Sequence, residues 1–282
     1  MSAPRRFAIH THHRIEETGG PLRRVIDGIR AAGGEVLMTA AEIEKHGLED
    51  VNPVDDPAQS RPDVAVVLGG DGTMLTALRD YADTEAPVFT FNFGAVGFLA
   101  TVEPDDLEDG IRRLVEGDFD TLQLPTLGID PASGHHIAVN DVAFLRRGGA
   151  RVAELAYLIR GEEIGNARCD GLVVSTPVGS TGYNLANGGP VMAWGVEGYV
   201  VSYIAPHTLT NRTLVAATTD VLVVRNLSQE EQVDVETDGR RVCTLEPGQD
   251  IEVRCEDRPA LLAKRPGTGF YDQLTAKFGR LA

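Results

Sequence analysis

Cysteine is scarce in this sequence: only three of the 282 residues, Cys169, Cys243 and Cys255, carry a thiol. A small, odd number of cysteines predicts reduced thiols and excludes a disulfide framework. Neither a CxxC nor an HxxxH pair occurs, so no structural zinc site is predicted. No apolar run reaches the roughly 18–20 residues of a transmembrane helix, and the start, MSAPRRFAIH, lacks the apolar core of a signal peptide. We therefore expect a cytoplasmic protein that does not bind membranes.

Lysine is also nearly absent, since only Lys45, Lys264 and Lys277 contribute to the 26 basic residues. The chain has 42 acidic residues and a net charge of −16. A surface this acidic disfavours binding to nucleic acids and to anionic lipids. Abundant aspartate with little lysine predicts adaptation to a high-salt cytoplasm, where screening is strong. The alternative is an ordinary acidic enzyme whose base composition favours arginine codons.

The length suits two domains, and a 42% hydrophobic content excludes general disorder. Up to about residue 120, strand-like apolar runs alternate with helical patterns. This alternation predicts an α/β domain with a parallel sheet over 1–120. The strand-like runs are 5–10, 34–39, 63–70 and 86–93, the helical patterns are 21–33, 73–82 and 103–119, and 44–62 is predicted as a loop.

Beyond residue 120 the pattern changes to short strand-like runs separated by Gly, Pro or Asp. Such regular spacing predicts an all-β domain over 121–265, for which we expect a role in dinucleotide binding. The last segment, 266–282, returns to a helical pattern. We expect it to form a C-terminal helix that packs back on the first domain.

The segment Gly69-Gly70-Asp71-Gly72-Thr73 follows a buried strand and opens a helix, where backbone N–H groups and the helix dipole favour anions. It lacks the GK[ST] of a P-loop, and Leu75 replaces the third glycine of the dinucleotide fingerprint. With no lysine in the loop, a divalent cation such as Mg²⁺ is the natural neutraliser of phosphate charge. Asp71 is then free to orient or deprotonate an attacking hydroxyl. The alternative is a tight turn rich in Gly and Asp.

A second segment, DGLVVSTPVGSTGYNLANGGP at 170–190, concentrates small polar side chains and glycines. A ligand with amide, ribose and phosphate groups needs such close approach, although an ordinary polar loop remains an alternative. Two smaller clusters accompany it. AVND at 138–141 ends a strand and, alone, is more typical of a turn, and APHTLTNRTLV at 205–215 contains His207 and Arg212.

In this order and spacing, the four segments resemble the ATP/polyphosphate-dependent NAD kinase family over nearly the whole chain. GGDGT alone is shared with diacylglycerol and sphingosine kinases, whereas the 170–190 block is absent from them. The resemblance implies transfer of phosphate from ATP or polyphosphate to the 2′-hydroxyl of the adenosine ribose of NAD or NADH. It also implies a homodimer or homotetramer.

The family's functional positions transfer to matching residues of this sequence. Asp71 matches the catalytic aspartate, Gly72 would approach the substrate through its backbone, and Phe98 matches an aromatic near the dinucleotide. Asn140 and Asp141 match a substrate-binding Asn-Glu pair, with donor phosphates expected nearer the GGDGT loop. The predicted nucleotide-binding residues are Gly70, Gly72, Thr73, Phe98, Asn140, Asp141, Arg168, Asp170, Thr181, Gly182, Tyr183, Asn184, Ala186 and His207, and no side chain is predicted as a metal ligand.

Four positions depart from the family pattern. Asp141 is one methylene shorter than Glu, Val178 replaces a hydroxyl residue, Gly182 replaces Ala, and Arg240 stands where Gln is usual. These changes leave open the preference for NAD over NADH and for the donor. Two other functions compete with NAD phosphorylation. A lipid or sugar kinase leaves the 170–190 block unexplained and lacks a basic amphipathic stretch, whereas a non-catalytic dinucleotide sensor would not need Asp71.

Overall fold

The computed structural model describes residues 5–12, 14–95, 97–149 and 151–279. The chain divides into two compact units. Unit 1 comprises residues 1–123 and 260–282, and unit 2 comprises residues 124–259. Over the described residues, no helix combines the length and apolar character needed to cross a membrane.

Helices and strands follow one another in a pattern that changes between the units. The α-helices are α1 Ile15–Ala31, α2 Ala40–His46, α3 Asp71–Asp80, α4 Leu107–Glu116, α5 Tyr183–Ala186 and α6 Phe270–Phe278. The strands are β1 Arg6–Thr11, β2 Glu35–Leu37, β3 Val64–Gly69, β4 Val88–Asn92, β5 Asp120–Leu124, β6 Leu127–Ile129, β7 His136–Ala138, β8 Asp141–Arg146, β9 Ala153–Ile159, β10 Glu162–Cys169, β11 Gly171–Ser175, β12 Gly198–Ile204, β13 Leu214–Ala217, β14 Leu222–Asn226, β15 Val233–Thr237, β16 Arg240–Leu245, β17 Asp250–Cys255 and β18 Ala260–Lys264.

Unit 1 is built on a six-stranded sheet with the order β2-β1-β3-β4-β18-β5. The β1–β2, β1–β3, β3–β4 and β4–β18 pairs are parallel. Every residue of β3 and β4 is buried, as expected for central strands of a parallel sheet covered by helices. The predicted α/β domain with a parallel sheet is confirmed.

The sequence analysis misplaced the start of one helix in this unit and missed another helix. Helix α1 begins at Ile15, not at Pro21, and Pro21 lies inside it. The prediction rested on the helical spacing of Leu22, Val25, Ile26 and Ile29, which do bury one face of the helix in the core. The preceding residues 15–20, IEETGG, carry no such apolar spacing, so the first turns of the helix were missed. Helix α2 was not predicted, and its last three residues, 44–46, fall within the segment predicted as a loop. The Thr39 side chain caps this helix by accepting from the Glu42 N–H.

Unit 2 is a β-sandwich of two six-stranded antiparallel sheets, with orders β10-β9-β14-β17-β6-β7 and β13-β12-β11-β8-β15-β16. Alternate residues of both sheets meet in one apolar core. In the second sheet, for example, Phe144 and Val174 face this core, whereas Asp141 and Ser175 stand opposite each other on the other face. The predicted β-rich domain is confirmed.

The chain returns to unit 1 at its end. Strand β18 pairs with β4 through Leu262 and Val88, so residues 260–264 belong to the first sheet, although the sequence grouped them with the second domain. Local strand patterns cannot reveal a pairing between residues so far apart in the chain. Helix α6 follows and packs on unit 1, since the Phe270 and Phe278 rings lie 6.3 and 5.8 Å from the Phe98 ring. This confirms the predicted C-terminal helix.

Candidate active site

The GGDGT segment joins the carboxyl end of β3 to the start of α3. Gly70 is the N-cap in an extended conformation, and its carbonyl accepts from the N–H groups of Thr73 and Met74 at 2.9 and 3.1 Å. From β1 the chain crosses to β2 on one side and then to β3 on the other. Ligands of open α/β sheets bind where the strand order reverses in this way, beyond the carboxyl ends of the strands. The loop therefore stands at the place where unit 1 is best suited to bind a ligand.

Asp71, the first residue of α3, is held by the loop that follows β4. Its two carboxylate oxygens accept backbone hydrogen bonds from Gly97 at 3.0 Å and Leu99 at 3.2 Å. The side chain is half-buried. Each carboxylate oxygen has a second lone-pair site, so the two N–H donors fix the orientation of the group and leave it able to accept a further proton or hydroxyl.

Close backbone contact involves Gly70, the glycine before Asp71, but not Gly72, the glycine after it. A Cβ on Gly94 would lie 2.6 Å from the Gly70 Cα, and a Cβ on Gly70 would lie 3.2 Å from the Gly94 Cα. A Cβ on Gly94 would therefore force the two loops apart, and a Cβ on Gly70 would require a smaller shift of the backbone at Gly94. Gly72 differs, because an added Cβ would meet nothing within 4 Å and the residue is exposed. The described residues give no steric reason for glycine at 72, which leaves close approach of a ligand as a physical explanation.

Thr73 and Phe98 face the protein itself. The Thr73 side chain lies against the end of β3, since a Cβ on Gly69 would be 2.8 Å from the Thr73 Oγ1. Phe98 is buried, with 7% of its surface exposed, and packs against α6. Phe98 thus anchors the segment whose N–H groups hold Asp71, and its predicted position near the dinucleotide stays a prediction.

In unit 2, the Asn140–Asp141 pair lies at the start of β8, where the chain bends. The side-chain Oδ1 of Asn140 is buried and finds no hydrogen-bond partner among the residues that the structure describes. Asp141 is 7% exposed. Burial, followed by the charges of Asp238 and Glu236, raises the pKa of Asp141 to about 7. A buried acceptor without a partner beside a carboxyl with a perturbed pKa is typical of a binding site.

The 170–190 segment begins with β11 of the second sheet and continues beyond its carboxyl end through α5. Thr176 fixes it at the end of β11, because its hydroxyl donates to the Val139 carbonyl at 2.6 Å and accepts from the Gly179 N–H at 3.1 Å. A Cβ on Gly179 would lie 2.0 Å from the Asn140 carbonyl oxygen, so this glycine is required by contact. The Ser175 hydroxyl is buried without a hydrogen-bond partner in the described part of the chain. Two buried polar atoms that lack partners therefore belong to adjoining segments.

The predicted residues within 181–186 separate into exposed and buried groups. Gly182 and Ala186 are exposed, and Tyr183 is 39% exposed. Burial, then the charges of Glu236, Asp141 and Asp170, raises the pKa of the Tyr183 phenol, which places the ring within electrostatic range of these carboxyls. Thr181 is half-buried, and its hydroxyl donates to the Val178 carbonyl at 3.0 Å. Exposed backbone and an aromatic ring are suited to contact a ligand.

The side chain of Asn184, by contrast, is fully buried and forms hydrogen bonds within the protein. Its amide nitrogen donates to the carbonyls of Ser180 at 3.0 Å and Pro190 at 2.9 Å, and its oxygen accepts from the Ser202 hydroxyl at 2.7 Å. A Cβ on Gly189 would lie 1.9 Å from the Asn184 oxygen. These contacts hold the segment in place, so the side chain supports the site and does not offer a polar atom to a ligand.

Arg168, Asp170 and His207 lie around the junction of β10 and β11. Arg168 is exposed, and its carbonyl accepts from the His207 N–H at 2.7 Å. The Asp170 carboxylate accepts from Arg146 Nε at 2.7 Å. Arg168 also lines a cavity of about 640 Å³ with Arg151 and several acidic residues. The structure brings Arg168 and His207 together through the backbone.

The departures from the family pattern have different surroundings. Val178 is 2% exposed, so the missing hydroxyl would have been buried. A Cβ on Gly182 would lie 3.3 Å from the Gly179 carbonyl oxygen, so alanine would fit after a small shift. Arg240 is exposed at the start of β16.

Sequence reasoning missed two residues that organise the site. Asn92 ends β4, accepts from the Gly94 N–H at 2.9 Å and donates to Glu103 at 2.8 Å. Asp238 accepts from three consecutive N–H groups of the bend at 139–141. The available signals were a polar residue ending an apolar strand and an Asp-Gly turn, and both are too common to be singled out.

Among the described residues, no cluster of three or more His, Cys, Asp or Glu side chains is arranged to hold a metal ion. The chain therefore provides no protein-only site, within its described part, that fits a divalent cation. A cation that accompanies a phosphate substrate takes part of its ligand set from phosphate oxygens.

Both units of the chain match models of a known protein family. Residues 36–119 match the family model of the ATP-NAD kinase N-terminal domain, and residues 139–264 match that of the ATP-NAD kinase C-terminal domain. Among curated proteins, the NAD kinase of Gemmatimonas aurantiaca is 36% identical over 223 residues, covering 77% of each chain. The NAD kinase of Paraburkholderia phytofirmans is 34% identical over 264 residues, covering 91% of this chain and 87% of the relative.

Solved structures give the same result for the fold. The yeast NADH kinase complexed with NADH has a TM-score of 0.86 at 21% identity, covering 100% of this chain and 91% of that one. An NAD kinase from Archaeoglobus fulgidus in complex with ATP has a TM-score of 0.77 at 25% identity, covering 96% and 98%.

Proposed function

The chain belongs to the NAD kinase family, and from that premise we propose that it transfers a phosphoryl group to the 2′-hydroxyl of the adenosine ribose of NAD, giving NADP. The observation that carries this proposal is the carboxylate of Asp71 at the start of α3, oriented by the Gly97 and Leu99 N–H groups. A carboxylate in a phosphate-type loop that lacks lysine is suited to accept a proton from an attacking hydroxyl.

Asp71 acts as the general base in this proposal. The hydroxyl donates its proton to a carboxylate oxygen as its own oxygen attacks the terminal phosphorus of the donor. The bond from that phosphorus to the bridging oxygen breaks, and ADP or a polyphosphate shorter by one phosphate leaves with the bonding electron pair. The two backbone donors keep the carboxylate aligned through the reaction, so little reorganisation is needed. The open side of Gly72 lets the substrate approach the backbone at the helix N-terminus, where the helix dipole favours phosphate.

The dinucleotide is held by unit 2 in this proposal. The buried Asn140 Oδ1, which has no partner in the described residues, would accept from a polar group of the substrate. The Asp141 carboxylate would accept from a substrate hydroxyl, and the exposed face of Tyr183 would contact a ring. Because the side chain of Asn184 is committed to internal bonds, its role is to hold this segment in shape.

The donor is ATP or polyphosphate, with Mg²⁺ or another divalent cation accompanying its phosphates. The cation neutralises phosphate charge, which the lysine-free GGDGT loop cannot do. The net charge of −16 suits a cytoplasm with a high salt concentration, where charge repulsion is screened. By the family resemblance, we also propose that the chain forms a homodimer or homotetramer.

Asp71→Asn tests the assignment of the base. The amide keeps the shape and can accept from one of the two N–H donors, but it cannot take the proton. General-base contributions are typically about 10²–10⁴-fold, so kcat should fall by at least about 100-fold while the Kd for NAD, measured by calorimetry, changes little. A variant that keeps more than a tenth of the wild-type kcat would show that Asp71 serves only to hold the loop at 97–99.

A further inference from the structure

The hairpin turn between β15 and β16 reaches the bend that carries Asn140 and Asp141. The Asp238 carboxylate accepts from the backbone N–H groups of Val139 at 3.0 Å, Asn140 at 2.7 Å and Asp141 at 3.1 Å. The Asp238 N–H in turn donates to the Asp141 carbonyl at 2.9 Å. We propose that Asp238 is a positioning residue for dinucleotide binding, which holds this bend so that Asn140 and Asp141 present their side chains to the substrate. The inference rests on the proposed function.

Three consecutive N–H groups cannot meet one carboxylate in an extended strand, where neighbouring N–H groups point in opposite directions. Their convergence on Asp238 therefore defines a concave bend of the kind that binds anions. The bend is also held from the other side, since the Thr176 N–H donates to the Asn140 carbonyl at 2.9 Å. With both backbone groups of Asn140 engaged, the position of its Cα and Cβ is fixed, and its Oδ1 is buried without a partner among the described residues.

A simpler explanation of Asp238 is turn chemistry. Asp238 and Gly239 have φ values of +46° and +74°, and they connect the paired residues Thr237 and Arg240. Two central residues with positive φ are typical of a type I′ hairpin turn, for which both Asp-Gly and Asn-Gly are favoured. Asp238→Asn thus preserves the turn and changes the carboxylate, which separates the two explanations.

The negative charge of Asp238 provides a second test, through the pH dependence of NAD binding. The groups that face Asp141 are Glu236 from β15, Asp238 from the turn and Tyr183 from α5, with the neutral Ser175 opposite it on β11. After burial, the charge of Asp238 is the largest cause of the raised pKa of Asp141. Removing that charge lowers the pKa of Asp141, so a pH dependence of NAD binding that follows this carboxyl should move to lower pH in Asp238→Asn.

The experiment compares Asp238→Asn, Asp238→Glu, Asn140→Ala and the double variant Asp238→Asn/Asn140→Ala in steady-state kinetics from pH 5.5 to 8.5 in molar KCl. An amide oxygen accepts at most two of the three N–H groups, and the orphaned donor and misplaced bend should raise the KM for NAD about tenfold. The KM for the donor should change less than about twofold. Because Asp238 acts in part through Asn140, the two effects should not be additive, and the KM of the double variant should rise by less than the product of the two single rises.

Asp238→Glu separates geometry from charge, because it retains the carboxylate and displaces it by one methylene. Its KM for NAD should rise while the acid limb of kcat/KM for NAD stays where the wild type has it. This variant also decides the matter if Asp238→Asn does not fold. The control is Asp250→Asn, which removes a surface carboxylate paired with Arg225 at 2.8 Å in the same unit and should leave both KM values unchanged.

The inference is overturned if Asn140→Ala raises the KM for NAD while Asp238→Asn and Asp238→Glu leave it and the pH profile unchanged; the proposed function then stands. A fall in thermal stability with equal changes in both KM values makes Asp238 a purely structural residue and overturns it as well. If the wild type does not phosphorylate NAD at all, the proposed function fails first, and this inference with it.

Discussion

The buried carboxylate of Asp141 should lower the free energy of unfolding above acidic pH, and Asp141→Asn should remove this destabilisation. Burial and the neighbouring Asp238 and Glu236 charges raise the pKa of this carboxyl from 3.8 to about 7. A raised pKa in an acid means that the folded state binds the proton more tightly than the unfolded state. Folding stability therefore falls as pH rises from about 4 to about 7 and is constant above that range.

The size of this stability change follows from the difference between the folded and unfolded pKa values of Asp141. About three pKa units at 1.36 kcal/mol each give an upper bound of about 4 kcal/mol. The amide introduced by Asp141→Asn would have no charge to desolvate, and its NH₂ group could donate toward the nearby acidic side chains. We expect Asp141→Asn to be more stable than the wild type by about 1–3 kcal/mol at pH 8, with the difference shrinking to near zero at pH 4.

Urea unfolding of both proteins at half-unit pH steps between 4 and 8.5, in constant 2 M KCl, measures this difference directly. Asp250→Asn is the matched control, since its exposed ion pair should contribute less than about 1 kcal/mol at any pH. A difference that does not change with pH, or an Asp141→Asn variant that is less stable throughout, would refute the desolvation reasoning.

Other expected outcomes address different parts of the molecule. Gly72→Ala should keep the wild-type melting temperature, because its Cβ meets nothing within 4 Å, but should lose at least about tenfold in kcat/KM if a ligand packs there; Gly94→Ala, whose Cβ would lie 2.6 Å from the Gly70 Cα, should lower both activity and melting temperature. Equal behaviour of the two variants would remove the argument for ligand contact at Gly72. Asn140→Ala should raise the KM for NAD about threefold to 100-fold, with the donor KM nearly constant, and the opposite pattern in two-substrate kinetics would reverse the placement of the substrates. Excess EDTA should abolish turnover with either donor, and undiminished NADP formation in EDTA would contradict a need for a divalent cation. The melting temperature should rise between low salt and about 2 M KCl as screening shortens to a few ångströms, and an unchanged or falling value would speak against high-salt adaptation.

The sequence by itself determined the fold class and the family. The alternation of apolar runs and helical patterns, followed by short regular strands, is local information because it depends on which face each element buries. The GGDGT loop and the 170–190 block were equally readable, since their glycines and hydroxyls are unusual in any core. The family resemblance then named Asp71, Asn140 and Asp141 before any geometry was known.

Only the tertiary structure decided what these residues do to one another. Asp71 is oriented by N–H groups 26 and 28 residues away, and the bend at Asn140 depends on a carboxylate 98 residues away. β18 joins a sheet whose next strand lies far back in the chain. The burial of Asn184 and Phe98 likewise follows from packing, which their polar or aromatic character in the sequence did not indicate. The physical reason is the same throughout: propensity and periodicity depend on neighbours in sequence, whereas desolvation, hydrogen-bond convergence and close backbone approach depend on neighbours in space.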